Sequence, residues 1–195
     1  QTQNGIIDTF AHVMEQYMTY PAKVPLQDRL AESLLQTLIE IAPAAMKRPV
    51  QYEARATFMW SATLALNYLI SCGAPQDWSA HMIGHELTAF YGLDHAETLA
   101  IVLPGVWRHQ FKAKKKKLEQ YAGRVWGLRT AEEAIVKTEE FFHSLKMPTR
   151  LGHYKISAEE AAAKIGARFR ERKVFLGEHG TIGAVAIAEI LRSRA

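Results

Sequence analysis

Residues 76–104 read QDWSAHMIGHELTAFYGLDHAETLAIVLP and contain two helical patterns with a short turn between them. On both sides of the turn, apolar residues recur every three or four positions, which is the spacing of an amphipathic α-helix. The turn is Gly92-Leu93-Asp94. This stretch predicts one helix from about Gln76 to Tyr91 and a second from His95 to about Phe111, with a kink at Pro104-Gly105.

Helical spacing continues along the rest of the chain. The segments Ile6–Tyr17 and Leu26–Met46 each carry one apolar stripe. The segment Tyr52–Ile70 is apolar on most faces, which predicts a central helix. Three or more helices are expected in the C-terminal part, where Ser157 and Thr181 are predicted N-caps. Strands are not expected, because no stretch alternates apolar and polar residues for long.

The composition is that of a globular protein. The chain has 195 residues, of which 48% are apolar and 23% are charged. This length suits one domain with a core of its own. Residues 1–195 are therefore predicted to form a single all-α domain, a helical bundle of roughly eight helices with short connections.

Cysteine content, charge and the N-terminal residues narrow the compartment and the partners. Cys72 is the only cysteine and is expected to pack as a small buried hydrophobe. A lone cysteine cannot form an internal disulfide, which favours a reducing, cytoplasmic location. Residues 1–4 lack the layout of a signal peptide, and no apolar run is long enough for a membrane span. The net charge of +4 is weak evidence for nucleic-acid binding, so neither membrane nor nucleic acid is expected as a partner.

Five side chains form a candidate metal site and its surroundings. Asp8 and His12 are four residues apart and share one helix face, as do His81 and His85. His95 follows the turn. Imidazole and carboxylate groups suit Fe2+, Zn2+ or a similar divalent ion. Such pairs also arise by chance in helical proteins, so the spacing alone leaves metal binding open.

Two segments resemble the iron-containing (group III) alcohol dehydrogenases. Residues 4–17, NGIIDTFAHVMEQY, are similar to the metal-ligand helix of that family. Residues 76–104 resemble its branch of NADPH-dependent aldehyde reductases and butanol dehydrogenases. The resemblance covers nearly the whole chain and is weakest after about residue 150. It implies the C-terminal, all-helical, metal-binding domain of the iron-type alcohol dehydrogenase fold.

The resemblance also implies roles for the five side chains. One divalent ion, Fe2+ or Zn2+, is expected to be held by Asp8, His12, His81 and His95. His85 is expected beside the metal and near the nicotinamide, as a catalytic and cofactor-contacting residue that is not a ligand. The complete enzyme would interconvert small aldehydes and primary alcohols. A homodimer is left open.

Members of this family also carry an N-terminal nucleotide-binding domain with a glycine-rich phosphate loop, and nothing in the chain matches it. Gly177, Gly180 and Gly183 do not have the G-x-G-x-x-G spacing of that loop. NADP(H) is therefore expected to bind mainly to a domain that these 195 residues do not include, and the isolated chain is expected to be inactive.

Two functions of other classes remain open. A metal-dependent hydrolase would use a metal-activated water at the same histidines. A non-catalytic helical interaction module would use basic clusters as its binding face, namely Lys112, Lys114–Lys117, and Arg168, Arg170, Arg172 and Lys173. The run Lys114–Lys117 is expected to be a solvated helix start, because no aromatic residues interleave with it as stacking platforms for nucleic acid.

Overall fold

The computed structural model describes residues 1–195 and contains nine α-helices and no β-sheet. In chain order these are α1 Thr2–Tyr17, α2 Pro25–Ala45, α3 Tyr52–Ala65, α4 Ser79–Tyr91, α5 His95–His109, α6 Phe111–Tyr121, α7 Ala131–Ser144, α8 Ala158–Arg172 and α9 Ala184–Arg192. A π-helical turn, Ala122–Trp126, follows α6, and a 3-10 turn, Leu151–Tyr154, precedes α8. One isolated antiparallel bridge pairs Leu176 with Ile182. The prediction of an all-α helical fold is confirmed.

The central helix of the bundle is α5. Every residue from Thr98 to Trp107 is buried, and the helix contacts α1, α4, α7 and α9. A helix that is apolar on all faces belongs in a core. The helix runs without interruption through Pro104 and Gly105 to His109. Because α5 is held on several sides, its first residue, His95, has a defined position at one end of the bundle.

The prediction of a central helix over Tyr52–Ile70 is wrong. The helix ends at Ala65 and lies at the surface, where it packs on α1 and α2. Its buried residues are all small, namely Ala54, Ser61 and Ala65. Its large apolar residues face outwards, because Tyr52, Met59 and Trp60 are 78%, 71% and 66% exposed. The apolar composition of α3 therefore reflects an exposed face in addition to a buried one.

Three of the predicted helix starts can be compared with the structure. Ser157 caps α8, because its hydroxyl accepts the backbone N–H of Glu160. The last helix begins after Gly183, so Thr181 is not its N-cap. Helix α4 begins at Ser79 instead of Gln76, because the Asp77 carboxylate accepts the backbone N–H of Ser79 and starts the helix there.

The lysines of α6 are divided between core and solvent. Lys114 is only 1% exposed, and its Nζ lies 3.0 Å from Asp77 Oδ2 and 2.8 Å from Glu178 Oε1. Lys117 is also buried and pairs with Asp28. The expectation that Lys114–Lys117 is wholly solvated is therefore wrong. Carboxylates from neighbouring segments compensate the two buried charges.

The length and hydropathy of the helices and the exposure of Cys72 bear on two further expectations from the sequence. No helix is both long enough and apolar enough to cross a membrane. Cys72 is exposed, so the expectation of a buried cysteine is wrong. It lies in the loop between α3 and α4, outside any helix face that could bury it.

Helices α4 and α5 approach each other closely at Gly84. A Cβ atom at this position would lie 2.6 Å from Thr98 Oγ1 and 3.3 Å from Thr98 Cβ. Protein interiors have no spare room for such an overlap. The missing side chain at Gly84 therefore allows α4 and α5 to pack against each other, and these are the helices that carry His81 and His95.

We expect Gly84→Ala to lower the free energy of unfolding by about 1–3 kcal/mol, because the added methyl group would overpack the contact with Thr98. Urea denaturation followed by circular dichroism measures this change. The matched control is Gly123→Ala, where the nearest atom to an added Cβ is Leu128 O at 3.8 Å. That variant should be as stable as the wild type or slightly more stable. Equal stability of Gly84→Ala and the wild type would contradict the argument.

Candidate metal centre

Three helices place the predicted ligands at one end of the bundle. Asp8 and His12 lie one turn apart on α1, His81 lies in the first turn of α4, and His95 is the first residue of α5. The ring centroids of His12 and His81 are 4.4 Å apart, and those of His81 and His95 are 5.1 Å apart. His95 Nε2 lies 3.5 Å from Asp8 Oδ1. The structure therefore brings all four residues together.

Three of the four residues already have clustered donor atoms. One ligand atom each from Asp8, His81 and His95 lies within 4.8 Å of the others. Metal–ligand bonds of about 2.1 Å hold donor atoms no more than about 4.2 Å apart. A small contraction of this cluster would therefore give bonding distances. His12 is adjacent but outside the cluster, and its Nδ1 lies 2.8 Å from the backbone oxygen of Asp8.

Two donor atoms have no hydrogen-bond partner although they are buried. These atoms are Asp8 Oδ1 and His81 Nε2. Buried polar atoms without partners are rare and costly in native proteins. A cation between the two atoms would satisfy both of them, and a set of carboxylate oxygen and imidazole nitrogens is suited to a divalent transition metal. The residues present thus fit a divalent metal ion.

The electrostatics of the centre favour the metal-binding protonation state for three of the four predicted ligands. Burial, together with the neighbouring His12 and His95, lowers the pKa of His81 to about 3. Burial also lowers the pKa of His95. For Asp8, burial acts upwards, but the charge of His12, whose Nδ1 lies 3.2 Å from Asp8 Oδ1, and the charge of His95 bring its pKa below the ordinary value. For His12, burial acts downwards, but the carboxylate and backbone oxygen of Asp8 bring its pKa above the ordinary value. Asp8, His81 and His95 thus favour their metal-binding forms, a carboxylate and neutral imidazoles, whereas Asp8 favours the protonated form of His12.

Glu15 belongs to this centre but was not singled out in the sequence. Its side chain is 4% exposed, and its carboxylate accepts the backbone N–H groups of Ala80 and His81 and contacts Nδ1 of the His81 ring. Burial and the charge of Asp77 raise the pKa of Glu15 well above its ordinary value, although these backbone N–H groups act downwards. The available signal was its spacing, because Glu15 follows Asp8 by seven residues on the same face of α1.

His85 and Trp78 lie beside the cluster. His85 is exposed, its ring stacks on that of His95 at 5.1 Å, and it lies 6.4 Å from the ring of His81. It is not one of the clustered donors. The ring of Trp78 is 5.1 Å from His81 and 5.8 Å from His12. The indole therefore forms an apolar wall next to two ligand rings.

An open cleft of about 450 Å³ reaches the centre from the solvent side. Its lining includes Asp8 and His95, and also Asn4, whose side-chain amide donates a 2.9 Å hydrogen bond to Asp94. Two predicted ligands therefore line a surface that a small molecule or a second domain could approach.

Fold and site together define an all-helical domain with a candidate mononuclear metal centre, and comparison with known proteins identifies its family. Residues 2–194 match the model of the Fe-containing alcohol dehydrogenase family, C-terminal. The chain belongs to the Fe-containing alcohol dehydrogenase family and corresponds to its C-terminal region.

Individual relatives agree with this assignment. The chain is 46% identical over 188 residues to the NADPH-dependent aldehyde reductase YqhD of Escherichia coli, covering 93% of this chain and 49% of that protein. It is 38% identical over 164 residues to the probable NADH-dependent butanol dehydrogenase 1 of Bacillus subtilis, covering 80% and 42%. A solved structure of the E. coli aldehyde reductase superposes with a TM-score of 0.96 at 43% identity, over 100% of this chain and 53% of that one. The chain thus spans about half the length of these relatives.

Proposed function

We propose that this chain is the metal-binding part of an NAD(P)H-dependent alcohol dehydrogenase or aldehyde reductase that interconverts aldehydes and primary alcohols. The supporting observation is the cluster of donor atoms from Asp8, His81 and His95 within 4.8 Å, in a chain of this family. The relatives are named as NADPH-dependent in one case and NADH-dependent in the other. Both nicotinamide cofactors are therefore compatible with the proposed function.

We infer that Asp8, His12, His81 and His95 hold one divalent ion, Fe2+ or Zn2+. When bound, such an ion supplies a Lewis acid for a carbonyl or alkoxide oxygen. Asp8 provides the anionic donor, and His81 and His95 provide neutral nitrogens. The backbone oxygen of Asp8 accepts from Nδ1–H of His12, which leaves Nε2 of His12 free to act as a ligand.

We assign His85 to the cofactor side of the centre. Its exposed ring stacks on the ring of His95 with the centroids 5.1 Å apart. His85 is therefore next to one of the clustered donors and in contact with solvent. An imidazole in this place can orient a nicotinamide or pass a proton between the reacting oxygen and water. This position supports a catalytic role that does not depend on metal ligation.

We propose that the nicotinamide cofactor binds mainly to a nucleotide-binding domain outside these residues. The chain covers about half of its relatives, and no phosphate-cradling loop occurs in it. The exposed apolar side chains Tyr52, Met59 and Trp60 on α3 form the kind of surface that another domain or subunit covers. The open cleft at Asp8 and His95 would provide the cofactor with access to the centre.

Neither alternative function is favoured. The relatives are named as oxidoreductases, which does not support a hydrolase. Part of the basic clusters is not available to a partner, because Lys114 and Lys117 are buried in ion pairs. Arg168 and Arg172 are both paired with Glu86. An interaction module based on these clusters is therefore poorly supported.

The first prediction for this function is that the purified chain binds one Zn2+ or Fe2+ ion among the four proposed ligands. The physical reason is that Asp8 Oδ1 and His81 Nε2 are buried without partners and face each other across the cluster. Crystals soaked in Zn2+ should show one anomalous-scattering peak there. Absence of a peak at these residues after soaking would contradict the proposed ligand set.

A second prediction separates His81 from His85. His81→Ala should abolish Zn2+ binding, because it removes a buried donor, whereas His85→Ala should retain it, because His85 is exposed and outside the cluster. Isothermal titration calorimetry with Zn2+ measures both affinities. Similar losses of affinity in the two variants would show that ligand and neighbouring residue have been assigned wrongly.

A third prediction concerns the isolated chain. It should fold and bind metal but should not bind NADPH tightly, because a pyrophosphate needs a helix N-terminus preceded by a glycine-rich loop. NADPH fluorescence titration should show no binding at micromolar concentrations, and butanal should not be reduced. Micromolar NADPH binding, or reduction of butanal by the chain alone, would contradict the proposed division of labour.

A further inference from the structure

We propose that Glu15 is a positioning residue that holds the His81 ring with Nε2 directed towards the metal centre before any metal binds. This inference rests on the proposed role of His81 as a ligand. It adds a specific task for a residue that is not itself expected to touch the metal.

The two nitrogens of His81 have different surroundings. Nδ1 contacts the carboxylate of Glu15, whereas Nε2 is buried without a hydrogen-bond partner beside Asp8 and His95. A neutral imidazole carries one hydrogen, so one nitrogen donates and the other keeps a lone pair. The partner of Nδ1 therefore decides which nitrogen is available to a metal.

Glu15 acts as a hydrogen-bond acceptor because it also caps the start of α4. Trp78, the N-cap residue, provides no side-chain hydrogen bond. The Asp77 carboxylate accepts the N–H of Ser79, and Glu15 accepts the next two, from Ala80 and His81. The positive end of a helix dipole favours a negative charge at this place. Oε1 of Glu15 accepts the N–H of Ala80, and Oε2 accepts the N–H of His81 and also contacts Nδ1 of the ring. This arrangement makes Nδ1 of His81 a further donor to Glu15 and leaves the lone pair on Nε2.

Neighbouring contacts fix Glu15 in place. Its backbone oxygen accepts the backbone N–H of Asp77 at 2.8 Å. Lys114 Nζ bridges Asp77 and Glu178, and all three side chains are buried. This network of hydrogen bonds and ion pairs joins α1, α6, the start of α4 and the segment after α8. It restrains Glu15 on the side of the His81 ring that faces away from Asp8 and His95.

Replacement of Glu15 by glutamine gives a sharp test because it changes the number of acceptors while keeping the size of the side chain. The single amide oxygen can accept the two backbone N–H groups of Ala80 and His81, which leaves the amide NH2 facing Nδ1 of His81. That amide donates, so Nδ1 becomes the acceptor and the hydrogen moves to Nε2. The ring then presents N–H where a metal needs a lone pair.

The tautomer of His81 can be read from its ring 15N chemical shifts in the metal-free chain, with the signal assigned by its loss in His81→Gln. We expect hydrogen on Nδ1 in the wild type and a shift towards hydrogen on Nε2 in Glu15→Gln. The Kd for Zn2+, measured by competition with a chromophoric chelator, should rise about 10- to 100-fold in Glu15→Gln. The matched control is Glu133→Gln, which removes the same charge from the capping box of α7 and should change neither quantity.

The outcomes separate the two proposals. Hydrogen on Nε2 of His81 in the wild type would overturn the positioning role, and this measurement does not require that Glu15→Gln folds. An unchanged tautomer together with an unchanged Zn2+ affinity in Glu15→Gln would overturn it as well. A wild-type chain that binds no Zn2+ would instead contradict the proposed metal centre, because the tautomer is measured without metal.

Discussion

The close contact between α4 and α5 is the constraint on which the geometry of the candidate metal centre depends. Gly84 has no side chain, so Thr98 can approach the backbone of α4. The first turn of α4 and the first residue of α5 are thereby held side by side, with α1 packed against α5. His81 and His95 come from opposite sides of a short turn, and α1 adds Asp8. The centre is thus a product of helix packing around one small residue.

Buried ion pairs link the helices and loops that surround the candidate metal centre. Lys114 pairs with Asp77, just before α4, and with Glu178. Glu15 on α1 accepts the backbone N–H of Ala80 at the start of α4. A second network lies at the C-terminus, where Arg194 is 0% exposed and pairs with Glu139. Burial lowers the pKa of Arg194 to about 10, although the charge and hydrogen bond of Glu139 act upwards. Breaking such pairs would leave an uncompensated charge in the core, so they fix the arrangement of helices.

The four proposed ligands differ in how closely their donor atoms approach one another. Those of Asp8, His81 and His95 are clustered, whereas His12 lies beside the cluster. The cleft at Asp8 and His95 leaves one side open, and Trp78 covers another side. A site with an open side and an apolar wall suits the polarisation of a small carbonyl compound.

The sequence by itself determined the helical class and most helix positions, and it supplied the candidate ligands of the metal centre. Three-and-four spacing is a local property, and the pairs at Asp8 and at His81 follow from it directly. The family resemblance, which the comparison with known proteins confirmed, singled out the candidate ligands from among several histidines.

Only the tertiary structure decided which apolar and charged residues are inside. The segment from Tyr52 looks like a core helix, yet it lies at the surface, because composition does not reveal whether a neighbour covers a face. Lys114 looks solvated but is buried, because its carboxylate partners come from distant parts of the chain. Glu15 contacts His81 because the packing of α1 against the start of α4 brings these two distant residues together. Partners that are remote in sequence leave no periodic signal, so these contacts exist only once the helices have packed.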